Sequence, residues 1–347
     1  MQRFLALIAV LIVLMLIGGD YLCGDGVESD VTPKTRRAIE KALEFLSKNQ
    51  NSDGSFGSAY QLAASSLAGL AFLAYGNLYN EGPYGTQIAK LVDYVLKTAD
   101  NVGYFDDNQC RMHGHGYATL FLAEVYGSLP PTLQAKVKEA LRKAIKVIER
   151  SQSNYGGWYY YPYHVMGYSG SDEGSVTVTQ VQALRSARNA GIYISKKVIE
   201  NGIKYMQKSM TPSGCRYTIS GGHTTYTLTA AAVSVLNAYG VHDSKELQMG
   251  MKVLRERIKA FPCPFSAAEW SWYGNLYAAQ SFFQSSDTDW AAYYRKTYEM
   301  LINTQMSDGS WRSGERGWGG DYGPCFSTAI GALILELPLG YLPLFQK

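Results

Sequence analysis

The sequence predicts an all-α protein: one α/α toroid of six helix hairpins, with an inner barrel and an outer sleeve. Three observations lead there. An amphipathic helix recurs about every fifty residues, a glycine-aromatic turn follows each copy, and an oily second helix follows each turn.

The first amphipathic helix spans residues 34 to 48, KTRRAIEKALEFLSK. Ala38, Ile39, Ala42, Leu43, Phe45 and Leu46 form one stripe and the charges form the other. The stripe returns at Ile88, Leu91, Val92, Val95 and Leu96, again at Val137, Leu141, Ala144, Ile145 and Ile148, and again at Val198, Ile199, Ile203 and Met206. Fainter copies surround Leu254 and Leu301.

The turns read NSDGSFG at 51 to 57, NVGYFDD at 101 to 107, NYGGWYYYP at 154 to 162, PSGCRY at 212 to 217 and SDGSWRSG at 307 to 314. Glycine supplies the positive φ that reverses the chain, and the aromatic covers the exposed ends. A sixth turn, FPCPF at 261 to 265, puts proline where the others have glycine.

The second helices, such as QLAASSLAGLAFLAYG, HGYATLFLAEVYG and FSTAIGALILEL, carry few charges and are apolar or small nearly all round. A helix of that composition is buried on every side. An open array of repeats ends in a capping unit with a polar face. Here the last oily helix, Ala329 to Leu335, has no such face, so it needs a neighbour, and closing the ring provides one.

With 347 residues and 46% apolar content, the chain can bury a substantial core. Its 32 basic and 29 acidic residues give a net charge of +3 with no basic run, which argues against a nucleic-acid partner. Residues 1–24 place Arg3 ahead of an apolar stretch from Phe4 to Ile17, the layout of a signal peptide or an uncleaved signal anchor. Export to the periplasm, cell envelope or medium is therefore expected, with membrane association only through this segment. Residues 25–33 read as a linker and residues 34–347 as the toroid domain. Cys110, Cys215, Cys263 and Cys325 lack metal-type spacing and suit either disulfides or buried thiols.

The turns Gln50-Asn51-Ser52-Asp53-Gly54-Ser55-Phe56 and Gln305-Met306-Ser307-Asp308-Gly309-Ser310-Trp311 resemble the repeats of squalene cyclases, oxidosqualene cyclases and protein prenyltransferase β subunits. HGHGYATLFLAEVYG and LELPLGYLPLFQK further resemble an exported, single-toroid bacterial branch of that superfamily. The resemblance implies an isoprenoid or other apolar small molecule held in the barrel, with terpene-cyclase-like chemistry if the protein is catalytic. The alternative is a non-catalytic scaffold that binds an envelope protein at the toroid mouth. The family's catalytic acid motif has only a partial counterpart at Ser171-Asp172-Glu173-Gly174-Ser175.

In a toroid the starts of the inner helices meet at one mouth. Asp172 and Glu173 are the candidate acids and His115 a candidate proton acceptor. Asp172 and Glu173 also suit helix capping by charge alone. His113, Tyr117, Trp158, His223, Glu269, Trp272 and Asp321 are candidate ligand contacts, and the tyrosines around Trp158 suggest an aromatic wall. No cofactor is expected. Zinc is the alternative, through Asp321, Cys325 and His223, as the prenyltransferase resemblance implies. The segment DDNQCRMHGHGYATL, 106 to 120, packs two acids, a cysteine and two histidines into one turn-to-helix junction. The repeat accounts for its glycines and its apolar run but not for two histidines.

Overall fold

A computed structural model describes residues 30–166, 172–260, 271–313, 316–317 and 320–346. The proposed signal segment, the FPCPF turn, Cys263 and Glu269 lie outside these residues.

The outer helices are α1 (Pro33–Lys48), α3 (Gly85–Lys97), α5 (Pro131–Ser151), α8 (Lys196–Ser209), α10 (Lys245–Ala260) and α12 (Asp287–Thr304). The inner helices are α2 (Gln61–Ala74), α4 (Arg111–Val125), α7 (Gly174–Asn189), α9 (Tyr226–Ala238), α11 (Ser271–Phe283) and α13 (Gly323–Glu336), and one short turn, α6 (Tyr163–Met166), lies before α7. Each amphipathic segment buries one stripe, whereas the inner helices bury nearly every described residue. Helix α1 starts because Thr32 accepts the Thr35 N–H at 3.1 Å and Pro33 occupies the first turn, where no N–H is needed. Asp30 is docked as well, accepting the Trp290 indole N–H of α12 at 2.8 Å.

Ring closure is direct: α13 packs on both α2 and α1. The turns show how each hairpin holds the next. Gln50 donates its amide to the Gly54 carbonyl of its own turn and to the Gln87 carbonyl of the next outer helix, both at 3.0 Å. Gln152 repeats this with Gly156 and Val198, and Gln305 with Gly309 and Ala38. The last of these runs from the final repeat to the first helix. The turn glycines are equally constrained, because Gly309 has φ +92° and a Cβ there would run into the Lys41 carbonyl of α1.

A second constant joins each turn to its inner helix. The backbone N–H of Phe56 donates to Ser65 Oγ, that of Trp158 to Thr177 Oγ1, that of Cys215 to Thr229 Oγ1 and that of Trp311 to Thr328 Oγ1, at 2.8–3.1 Å. In the second repeat the acceptor is His115 Nδ1, 3.0 Å from the Phe105 N–H. A buried N–H with no partner is costly, so this position needs an acceptor in each of these five repeats.

The fold departs from pure helix in the fourth repeat. PSGCRY opens a three-stranded antiparallel sheet of β1 (Met210–Thr211), β2 (Gly214–Thr218) and β3 (Gly221–Thr225). Its CRYT and HTT segments are rich in β-branched and aromatic residues and are separated by glycines, which favour a hairpin over a tight turn. A smaller pair, β4 (Arg316–Gly317) and β5 (Gly320–Asp321), precedes α13. Among the described residues no helix is long and apolar enough to cross a membrane, and Cys110, Cys215 and Cys325 are free and buried.

Candidate functional site

His113 lies two residues before His115, a rotation of about 200° on a helix. The two therefore face opposite ways. His115 points outward, and since its Nδ1 accepts from Phe105, its Nε2 carries the proton and donates to the Ala144 carbonyl at 3.2 Å. Burial pushes its pKa down to about 4, so it is a neutral bolt between turn, inner helix and sleeve. This corrects its candidacy as a proton acceptor, since both ring nitrogens are committed to backbone.

His113 points toward the neighbouring inner helix. Its Nε2 lies 3.0 Å from Ser175 Oγ, and that hydroxyl donates to Glu173 Oε1 at 2.5 Å. Glu173 caps α7, accepting the N–H groups of Ser175 at 2.8 Å and Val176 at 3.0 Å. Glu173 therefore takes the capping role that its charge suits, and it also belongs to a polar cluster. Complete burial raises its pKa, and its hydrogen bonds only partly offset that rise. The His113 side chain is 23% exposed, while desolvation and the nearby Arg111 charge hold its pKa down to about 4. The pair is a solvent-reaching imidazole joined through one hydroxyl to a buried carboxyl.

Tyr160 is the hub around this relay. Its hydroxyl lies 2.6 Å from that of Tyr217, and its ring centroid is 5.7 Å from that of His113. Tyr217 in turn stacks on the exposed His223 at 5.9 Å. Tyr273 donates to the Ser175 carbonyl at 3.2 Å. One helical turn deeper, the hydroxyls of Tyr117 and Tyr277 meet at 3.0 Å, joining α4 to α11. Deeper still, the Gln182 amide donates to Gln280 at 2.8 Å. These two polar pairs cross the barrel interior below the mouth, in which the resemblance implied that an apolar small molecule would be held.

Several other candidates have framework positions. Asp172 turns away from Glu173 and accepts the Ser153 hydroxyl at 2.9 Å in the preceding turn. Trp158 is fully buried and donates its indole N–H to the Ile148 carbonyl, as Trp311 does to Leu301. Trp272 donates to the Ser313 carbonyl at 2.9 Å. Asp321 is exposed and accepts the Gly323 N–H. Asp107, from the 106 to 120 segment, organises its loop by accepting from Gln109, Cys110 and Leu62. Asp321, Cys325 and His223 do not converge, and among the described residues no three His, Cys, Asp or Glu side chains form a group that could hold a metal.

Sequence reasoning missed Ser175, Tyr273 and Arg111. For Ser175 the available signal was the position two residues before each outward acceptor, where Ala63, His113, Ser175, Thr227 and Phe326 stand; Tyr273 and Arg111 carried no such signal.

No family model and no curated protein matches the chain. Among solved structures, a variant of a type II terpene cyclase from Scytonema, in complex with geranylgeranyl dihydroxybenzoate, aligns with TM-score 0.64 at 14% identity. The alignment covers 89% of this chain and 98% of that one. The fold is the α/α toroid. A D-mannose isomerase aligns to this toroid with TM-score 0.63 and a glycosidase in complex with glucose with 0.62, each at 11% identity and covering 89% of this chain and 98% of the other. These likenesses establish the architecture expected from the repeats and leave the chemistry to the site.

Proposed function

We propose that the toroid mouth binds an isoprenoid or similar apolar small molecule and exchanges a proton with it through His113, Ser175 and Glu173. The observation that carries this reading is the continuous relay from a partly exposed imidazole to a fully buried carboxyl. With Glu173 ionised, His113 Nε2–H donates to Ser175 Oγ and the Ser175 hydroxyl donates to Glu173. His113 Nδ1, which has no partner among the described residues, is then a base. When Nδ1 takes a proton, Nε2 passes its own to Ser175 and Ser175 passes its own to Glu173. The imidazole stays neutral, consistent with its depressed pKa. The reverse transfer makes Nδ1–H an acid that can protonate an alkene.

Glycoside hydrolysis needs two carboxyl groups flanking one bond. Here Asp172 is turned to Ser153, leaving Glu173 as the single acid of the relay. Alkene protonation needs one acid, so the isoprenoid reading fits better. The ligand lies above the Tyr117–Tyr277 bridge, against Tyr160, Tyr217 and Tyr273. The protein acts after export, directed by residues 1–24 as a cleaved signal or an anchor, which fractionation of cells would test.

Incubation with squalene and prenyl diphosphates in deuterated water tests the chemistry. The expected product carries one deuterium, and Glu173→Gln abolishes it while the fold melts normally. Absence of binding and turnover with every isoprenoid overturns the reading. The second reading, a non-catalytic envelope scaffold, is favoured by the polar bridges Tyr117–Tyr277 and Gln182–Gln280 across the interior. It gains if the wild-type protein binds an envelope partner at the mouth and Glu173→Gln leaves that binding intact.

A further inference from the structure

Arg111 begins the inner helix that carries His113, and its charge is handled unlike that of Arg255 or Arg185. Arg255 forms a two-pronged pair with Asp289, with both contacts at 2.8 Å. Arg185 donates to the Leu344 carbonyl and lies in the field of Glu124. Arg111 has no carboxylate partner among the described residues. Its guanidinium instead rests on aromatic faces, 4.5 Å from the Tyr161 ring centroid and 6.0 Å from that of Tyr160. Stacking of this kind holds the charge while leaving the N–H edges of the planar fork available.

Two further observations point the same way. Arg111 has φ +54°, a left-handed conformation that a residue with a Cβ adopts only against a steric cost. Of the four such non-glycine residues described, two are asparagines, and the others, Tyr60 and Arg111, both stand at the start of an inner helix. The Arg111 charge also disfavours a second positive charge on His113, so it works against a role for that histidine as a cation. Tyr160 is common to both, with Arg111 6.0 Å and His113 5.7 Å from its ring centroid.

We infer that Arg111 is the anchor for an oxyanion head group, a carboxylate or a phosphate, on the ligand of the mouth. The ligand is then an amphiphile with an anionic head and an apolar tail, and not a bare hydrocarbon. A head held at Arg111 places the adjoining part of the tail over Tyr160, beside His113. This rests on the proton-transfer reading for the tail, whereas the head-group contact depends on Arg111 alone.

Titration calorimetry with three probes sharing a twenty-carbon tail tests it: geranylgeraniol, geranylgeranoic acid and geranylgeranyl diphosphate, with inorganic diphosphate as a fourth. The wild-type protein should bind the two anionic lipids at least tenfold more tightly than the alcohol, and their order identifies carboxylate or phosphate as the natural head. Arg111→Gln should bring the anionic probes down to the affinity of the alcohol and leave the alcohol within twofold of its wild-type value. Arg111→Lys should fall between, for want of the planar fork. Arg111→Gly removes the side chain and the strained backbone together, so it keeps the fold and should lose the preference.

Equal binding of alcohol and anions by the wild-type protein, or an unchanged preference in Arg111→Gln, overturns the inference and leaves the isoprenoid reading standing. Arg111-dependent binding of diphosphate alone, with no lipid bound, upholds the anchor and overturns the isoprenoid reading. Failure of all four probes overturns both.

Discussion

The outward and inward faces of the inner helices differ in how they repeat. Outward, Ser65, His115, Thr177, Thr229 and Thr328 occupy one position and do one job, accepting a turn N–H. Two residues earlier the helices carry a methyl at Ala63, an imidazole at His113, hydroxyls at Ser175 and Thr227 and a phenyl at Phe326, with no one chemistry common to all five. A position that repeats its interaction holds the ring together. A position that abandons the repeat at the mouth is free to take up chemistry, and there the His113–Ser175–Glu173 relay is found. The two histidines of HGHG fall on opposite sides of this division.

Breaking a repeated contact should cost most where it closes the ring. Gly309→Ala combines φ +92° with a clash against the Lys41 backbone, so a loss above about 3 kcal/mol is expected in urea unfolding. Gly191→Ala, also at positive φ but with open space around it, should lose only about 1 kcal/mol. Similar losses at the two sites would show that the turn-to-sleeve contact does not hold the ring.

The histidines give the next largest contrast. His115→Ala leaves the Phe105 N–H and the Ala144 carbonyl buried without partners, for a loss of about 3 kcal/mol. His115→Thr, which supplies the acceptor used by three other repeats, should recover part of it. His113→Ala should change stability by less than about 1 kcal/mol and abolish turnover, since its side chain is partly exposed. If His113→Ala unfolds the protein and His115→Ala does not, the division of faces is wrong.

Acid should destabilise through the same pair. Both imidazoles have folded pKa values lowered to about 4 from an ordinary value of 6.5. Above pH 6.5 they are neutral folded or unfolded and cost nothing. As pH falls from 6.5 toward 4 the unfolded chain takes up protons that the folded chain refuses, so stability declines. For the fully buried His115 the loss approaches about 3 kcal/mol. Urea midpoints between pH 7 and pH 4.5 measure it, and His115→Thr should flatten the profile.

The smallest expected effect concerns a departure from the repeat that is not at the mouth. Glu336 ends α13, fully buried, with neither carboxyl oxygen hydrogen-bonded, and burial holds its pKa well above the ordinary value. The folded state therefore keeps a proton that the unfolded state releases above about pH 4.5, and stability falls as pH rises from there toward the folded pKa. Glu336→Gln should stabilise by about 1–2 kcal/mol at pH 8 and by less at pH 5, read as a shift in melting temperature. No gain at pH 8 would mean that this carboxyl has a role worth its cost.

Much of the architecture is legible in the residues themselves. A helix stripe needs only local spacing to be seen, and the glycine turns need only their positive φ, so both survive without knowledge of neighbours. The hairpin in the fourth repeat was not legible, because PSGCRY reads as a turn until β3 is there to pair with β2. For the site, Glu173 and His113 were visible as polar residues where inner helices begin. Asp172 looked equal to Glu173, and only its bond to Ser153 separates them.

By itself the sequence determined the period, the two kinds of helix and the need to close the ring, because an oily helix has to be covered whatever covers it. The tertiary structure decided which polar residues act together. Residues two apart on a helix point about 200° apart, as His113 and His115 do, and consecutive side chains of extended chain point to opposite sides, as at Asp172 and Glu173, so each pair is separated by side-chain direction and not by composition. Ser175, Tyr160 and Arg111 join the site for the same reason. Ser175 and Tyr160 become neighbours of His113 only when a helix and a loop distant in the chain are packed against its face, and Tyr160 and Tyr161 then give Arg111, already close in the chain, its aromatic support.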